Sequence, residues 1–213
     1  MTYSYVLYDL DGTLLDTNEL IISSFEHALG THTPGAYTRE DILPHMGAPL
    51  YEQMENFAPG RSEELVATYR RFNIEQHDTL VTAFPHVQDV LRELHEAGVK
   101  QAIVTSKMRL TTEMGLKLCG LTRYLDAVVT LDEVENHKPH PEPVLKAMEL
   151  LGADPKSTLM VGDSPFDIGA GRAAGVATVG VKWSLRGEEG LREHRPDYLV
   201  GDMLELRQII LGD

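Results

Sequence analysis

The stretch YSYVLYDL, residues 3–10, running into Asp11, Gly12 and Thr13, decides the fold. It is rich in β-branched and aromatic residues and stops at an Asp-Gly turn signal, so it reads as a buried strand. A second apolar run covers residues 99–105, after a helix that Pro85 is placed to start at its first position. In that helix Val87, Val90, Leu91 and Leu94 repeat at i, i+3, i+4 and i+7, one face of a 3.6-residue period. Short strands are expected again at 127–130, 158–161, 178–181 and 198–200, with helical patterns between them such as Val144, Leu145, Met148 and Leu151. Strands alternating with helices of about 10–15 residues imply βαβ units. The expected fold class is therefore α/β, a Rossmann-like parallel sheet with helices on both faces.

Residues 16–80 break this alternation. Leu20, Ile21, Phe25, Ala28 and Leu29 share one helical face, and Leu65, Tyr69 and Phe72 mark a longer helix. Thr38 followed by Arg39, Glu40 and Asp41 has the hydroxyl and the first-turn acids of a helix start. No strand is expected in the block. It reads as a helical cap, residues 16–80, inserted after the first strand of a core built from residues 1–15 and 81–213. Hinges are expected near residues 14–17 and 79–84, and no internal repeat or low-complexity tract is present.

Composition narrows the function classes. A length of 213 residues fits one large domain or one domain with an insertion, and 42% hydrophobic with 24% charged residues is ordinary for a globular chain. No run of about 18 apolar residues exists to span a membrane, and the first residues lack the basic region of a secretory signal. A single cysteine, Cys119, forms no internal disulfide and fits a reducing, cytoplasmic setting. With 19 basic against 33 acidic side chains the net charge is −14, which weighs against nucleic acid and anionic membrane as partners.

The chemistry gathers at strand ends. Asp9 and Asp11 are two apart, so on a strand both carboxylates face one side at the carboxyl edge, where open parallel sheets place ligands. Gly12 allows close backbone approach to an anion and Thr13 adds a hydroxyl; taken alone, the pair is also an ordinary Asp-Gly turn. Thr105, Ser106 and Lys107 end the strand at 99–105 and offer an anion cradle of hydroxyls, N–H groups and a cation, although Ser and Thr also cap helices routinely. Lys138 lies in a proline-flanked loop, His137-Lys138-Pro139-His140-Pro141, that would fix a cation in place. In Gly162-Asp163-Ser164-Pro165-Phe166-Asp167, Asp163 ends a strand and Asp167 is placed to orient its neighbours from the following helix. Strand-end carboxylates brought together repel unless a cation joins them, and an oxygen-only set points to Mg²⁺. The nine scattered histidines form no H-x-x-x-H pair, so a zinc centre is not expected.

In order the chain carries DLDGT, a helical insertion, VTSK, HKP and GDSPFD. This set resembles the haloacid dehalogenase superfamily of aspartate-based phosphatases over the whole chain, the insertion matching its type 1 cap. Within it, the stretches TNELIISSF, YTREDILPHMG, TTEMGLKL and HKPHPEPV are similar to PpaX-type inorganic pyrophosphatases, neighbours of the phosphoglycolate phosphatases. The resemblance implies that Asp9 is the nucleophile and Asp11 the general acid/base. It further implies that Asp9, the Asp11 carbonyl and Asp163 hold Mg²⁺, and that Thr105 and Lys138 hold the phosphoryl group, beside Gly12, Ser106 and Lys107. The chain departs from the Asn or His of its relatives at Ser164-Pro165-Phe166, which concerns how Asp163 and Asp167 are held.

The implied reaction is hydrolysis of pyrophosphate to two phosphates through an aspartyl phosphate. The alternative is hydrolysis of phosphoglycolate or another small phosphomonoester. A dehalogenase would need neither the metal nor the acid at Asp11, and a phosphosugar mutase would use the same residues on a sugar phosphate. A phospho-accepting receiver shares the residue types but has a chain near 120 residues and no helical insertion. The expected partner is a small phosphate-containing substrate, on a chain acting as a monomer. The cap segment has four cations, Arg39, Arg61, Arg70 and Arg71, against eleven acids, and no lysine, so the core is expected to hold most of the substrate charge. The turn His45-Met46-Gly47 is either a cap loop reaching the site or a plain helix–helix turn.

Overall fold

The computed structural model describes residues 1–46, 49–183, 185 and 187–212. Along the chain lie β1 (Tyr5–Tyr8), β2 (Leu15–Asp16), α1 (Asn18–His32), α2 (Arg39–Ile42), α3 (Leu50–Phe57) and α4 (Ser62–Leu80). They are followed by β3 (Thr82–Ala83), α5 (Val87–Glu96), β4 (Lys100–Val104), α6 (Arg109–Leu118), β5 (Ala127–Val129) and α7 (Glu142–Leu151). The last part comprises β6 (Thr158–Gly162), α8 (Pro165–Ala173), β7 (Ala177–Val181), α9 (Gly187–Arg192), β8 (Tyr198–Val200) and α10 (Met203–Leu211). The chain divides into two compact units, Met1–Asp16 with Thr82–Asp213, and Thr17–Val81.

The first unit is built on a six-stranded parallel sheet of order β5-β4-β1-β6-β7-β8. Its centre is the segment on which the sequence reading turned. Val6, Leu7 and Tyr8 of β1 are wholly buried, as a strand covered on both faces requires. Tyr8 pairs with Ile103 of β4 on one side and Val161 of β6 on the other, so three strands end side by side. From β1 the chain moves outward to β4 and β5, then crosses back to β6 on the far side of β1. That reversal is where an open α/β sheet leaves a crevice at its carboxyl edge. Leu7, Ala102, Val104 and Met160 pack with Val144 and Ala147 of α7 into one closed cluster. The amphipathic face expected around residues 87–94 is fully buried, as Val87, Val90, Leu91 and Leu94.

Two local expectations are corrected. Pro85 does not open α5: the helix starts at Val87, after His86 turns the chain with φ of +64°. The strands β2 and β3 were missed, because two-residue strands carry no periodic pattern. They pair antiparallel, Leu15 with Ala83 and Asp16 with Thr82, and Phe84 N–H extends the contact to the Leu14 carbonyl at 3.0 Å. Trp183, after β7, donates its indole N–H to the Thr13 carbonyl at 3.3 Å, with its ring 6.0 Å from that of Phe84.

The second unit is all-helical. Its core gathers on Phe25 of α1, whose ring lies 5.1 Å from Tyr69 of α4 and 6.0 Å from Phe57 of α3. Met54 and Leu65 are fully buried beside them. The expected helix start at Thr38 is present: Thr38 donates both N–H and hydroxyl to Asp41, at 2.8 and 2.9 Å. His45 sits in a single 3₁₀ turn, Leu43–His45, with its ring 4.7 Å from Phe57. Gly47, the third residue of the turn singled out above, lies outside the described residues. Among the described residues no helix is long and apolar enough to cross a membrane.

Candidate active site

Four segments bring titratable side chains to the carboxyl edge of the sheet. Asp9 follows β1 directly, and its N–H donates to the Val161 carbonyl at 2.9 Å, so the ladder still fixes the backbone where the carboxylate begins. The next residues form a tight turn: Leu14 and Leu15 N–H both donate to the Leu10 carbonyl at 3.0 Å. Gly12 in this turn has φ of +76°, and a Cβ there would stand 2.5 Å from Asp163 Oδ2. The glycine is required for the turn and, beyond that, lets the Asp163 carboxylate lie against the Asp11–Thr13 backbone.

Asp163 follows β6, and Asp167 lies in the first turn of α8. Ser164 caps that helix by donating N–H and hydroxyl to Asp167 Oδ2, at 3.0 and 2.6 Å. Ser164 is thus the residue that holds Asp167 Oδ2. Gly162, overlooked in the sequence reading, leaves the space: a Cβ there would be 2.2 Å from the Asp167 Cβ. We expect Gly162→Ala to displace Asp167, lower stability by about 1–3 kcal/mol, as overpacking does, and depress activity. Calorimetry with an activity assay checks this, and a variant equal to the wild type in both would refute it.

Lys138 joins the segments. Its Nζ donates to Asp9 Oδ1 at 2.7 Å, Asp167 Oδ1 at 2.6 Å and the Val104 carbonyl at 3.0 Å. An ammonium has three N–H groups, so every donor of Lys138 is engaged. Burial works to lower its pKa, but the carboxylates of Asp167 and Asp9 outweigh that and raise it, so Lys138 is charged. The carboxylates respond in the opposite sense. Burial pushes Asp9 up to about 7, against the pull of Lys138, with Asp167 and Asp11 adding repulsion. Burial, with repulsion from Asp167 and Asp9, also raises Asp163 well above the usual range.

Oxygens of Asp9, Asp163 and Asp167 all lie within 4.8 Å of one another. Three acids and one ammonium are a charge imbalance that a small divalent cation corrects, and the donors are all hard oxygen. The residues fit Mg²⁺. The third carboxylate of this cluster is Asp167, whereas the sequence reading had Asp11 as the third metal residue, through its carbonyl. The Asp11 carboxylate instead binds Lys107, with Nζ 2.9 Å from Oδ1 and 3.1 Å from Oδ2. That pair was missed, since nothing in a linear sequence links positions 96 apart. Thr105 is buried and accepts the Lys107 N–H on its hydroxyl at 3.2 Å, and Ser106 is half-buried beside it. The Thr13 hydroxyl is buried with no hydrogen-bond partner among the described residues.

The sequence model for haloacid dehalogenase-like hydrolases matches residues 6–181. A protein named pyrophosphatase PpaX from Bacillus pumilus is 49% identical over 212 residues, covering 100% of this chain and 98% of its own. One of the same name from Anoxybacillus flavithermus is 48% identical over 210 residues, covering 99% and 98%. Among solved structures, one described as a predicted phosphatase from Clostridium acetobutylicum superposes with a TM-score of 0.88 at 26% identity, over 100% of both chains.

Proposed function

The chain belongs to the haloacid dehalogenase-like hydrolase family, and on that premise we propose that it hydrolyses inorganic pyrophosphate to two phosphates with Asp9 as nucleophile. The observation that carries the chemistry is the convergence of Asp9, Asp163, Asp167 and Lys138 at the edge of three adjacent strands. The substrate follows the relatives named pyrophosphatase, which match this chain from end to end.

In this reading a carboxylate oxygen of Asp9 attacks one phosphorus, and the bond to the bridging oxygen breaks. Asp9 then carries an acyl phosphate and the other phosphate leaves, taking a proton from Asp11 where it needs one. Asp11 next removes a proton from water, whose oxygen attacks the same phosphorus. The bond to Asp9 breaks, the second phosphate departs and the carboxylate is restored. Lys138 fixes Asp9 through Oδ1, so the attacking group is oriented before substrate arrives. Asp9, Asp163 and the Asp11 carbonyl would hold Mg²⁺, while Asp167 is engaged with Lys138 and Ser164. When bound, Mg²⁺ supplies positive charge for the oxygens of the transferring phosphoryl group.

The test is a substrate panel assayed with Mg²⁺. We expect kcat/KM to be highest for pyrophosphate, above phosphoglycolate and p-nitrophenyl phosphate, with turnover lost in EDTA and restored by Mg²⁺. A kcat/KM for phosphoglycolate at or above that for pyrophosphate would overturn the substrate. Full turnover in chelator would overturn the metal.

A further inference from the structure

Two ammonium groups reach this site, and they differ in what they have left to offer. Lys138 has three acceptors for its three donors, two of them buried carboxylates. It can take a ligand oxygen only by releasing one of these. Lys107 has one partner for its side chain among the described residues, the Asp11 carboxylate. Two oxygens occupy at most two of its N–H groups, so at least one donor is open. Its backbone is pinned as well: Lys107 N–H donates to the Thr105 hydroxyl at 3.2 Å, and its carbonyl accepts from Leu131 N–H at 3.0 Å. The side chain is only 10% exposed, so this is a placed charge and not a solvated surface lysine.

We propose that Lys107 is a specificity-determining residue whose ammonium, positioned by Asp11, receives the departing phosphate and so selects substrates whose leaving group already carries charge before its bond breaks. The inference rests on the pyrophosphatase reading, because the leaving-group side is defined by Asp11 acting as the acid there. A charged second phosphate gains a charge-assisted hydrogen bond from the free donor. A leaving group that is uncharged until its bond breaks gains nothing comparable. Asp11 has a second duty in consequence, as the anchor that keeps the ammonium in place.

The experiment first measures the unmodified protein, with Mg²⁺, on pyrophosphate and p-nitrophenyl phosphate. A wild type that does not prefer pyrophosphate refutes the underlying reading before any variant is made. Given that preference, Lys107→Ala should lower the ratio of the two kcat/KM values about tenfold, the effect of one charge-assisted contact, and Lys107→Arg should recover most of it. Titration calorimetry supplies a readout without turnover. The non-hydrolysable analogue methylenediphosphonate should bind Lys107→Ala about tenfold more weakly, and orthophosphate less than about twofold. In an Asp11→Asn background the same substitution should cost less methylenediphosphonate affinity, because the ammonium has already lost its anchor. Equal losses for both substrates, or for both ligands, would place Lys107 in the general phosphoryl site and overturn the proposal. Should the alanine variant misfold, Lys107→Met keeps the apolar stem and carries the same comparison.

Discussion

Asp9→Asn should lower kcat on pyrophosphate by at least about 10,000-fold and leave the protein folded. The amide has no anionic oxygen to form the bond to phosphorus, and catalysis that depends on a covalent intermediate falls with it. The fold should survive for an electrostatic reason. Asp9 is buried in repulsion with Asp167 and Asp11, and its carboxyl is pushed up to about 7, with burial the largest cause. Removing that charge relieves repulsion among the acids that remain, and the amide oxygen can still accept from Lys138. The melting temperature is therefore expected to equal or exceed that of the wild type. Steady-state assay and calorimetry on one preparation check both parts. Turnover near the wild-type level in a folded Asp9→Asn protein would refute the covalent mechanism.

Lys138→Met should have the opposite balance, a large loss of stability together with loss of turnover. Methionine fills the volume of the stem, but the ammonium bonds to Asp9, Asp167 and the Val104 carbonyl disappear. Both carboxylates are buried, and an acid stripped of its partner in such a place costs about 3–5 kcal/mol. For a chain of this size each kcal/mol moves the midpoint by about 2–4 °C, so a fall of roughly 10 °C is expected. Millimolar Mg²⁺ should restore part of that fall by replacing the missing positive charge, and Asp9→Asn in the same background should restore more. A melting temperature unchanged from the wild type would show that Lys138 does not balance these acids.

Much of the sheet was legible beforehand because buried parallel strands announce themselves as short apolar runs. The strand expected at 198–200 is β8 to the residue, and those expected at 127–130, 158–161 and 178–181 differ by one residue at an end. The amphipathic face from Val87 to Leu94 was equally readable. The beginning of α5 was not, since proline has the same φ just outside a helix as at its first position, and His86 intervenes. The pairing of β2 with β3 was invisible for lack of length. In the site, turn signals at the ends of apolar runs placed the aspartates at one edge, but β1 ends at Tyr8, so Asp9 and Asp11 lie in the turn after it and strand alternation does not apply to them. Gly162 could also have been found: a glycine immediately before Asp163, at the end of a strand, is a residue whose missing side chain makes room for something.

The amino-acid sequence by itself determined that a parallel sheet would form and that Asp9, Asp11, Thr105 and Asp163 would stand at its carboxyl ends. Both follow from local rules, the apolar runs of buried strands and the turn signals that end them. Only the tertiary structure decided which charge would meet which. Lys138 found Asp9 from 129 positions away and Asp167 from 29, and with the Val104 carbonyl these exhausted its donors. Lys107 found Asp11 and, among the described residues, kept a donor free. Such choices depend on distances of a few tenths of an ångström between side chains from separate strands and loops, set jointly by strand register, the turn at Gly12 and the gap left by Gly162. Coulomb and hydrogen-bond energies change steeply over that range, whereas strand and helix patterns do not depend on it at all.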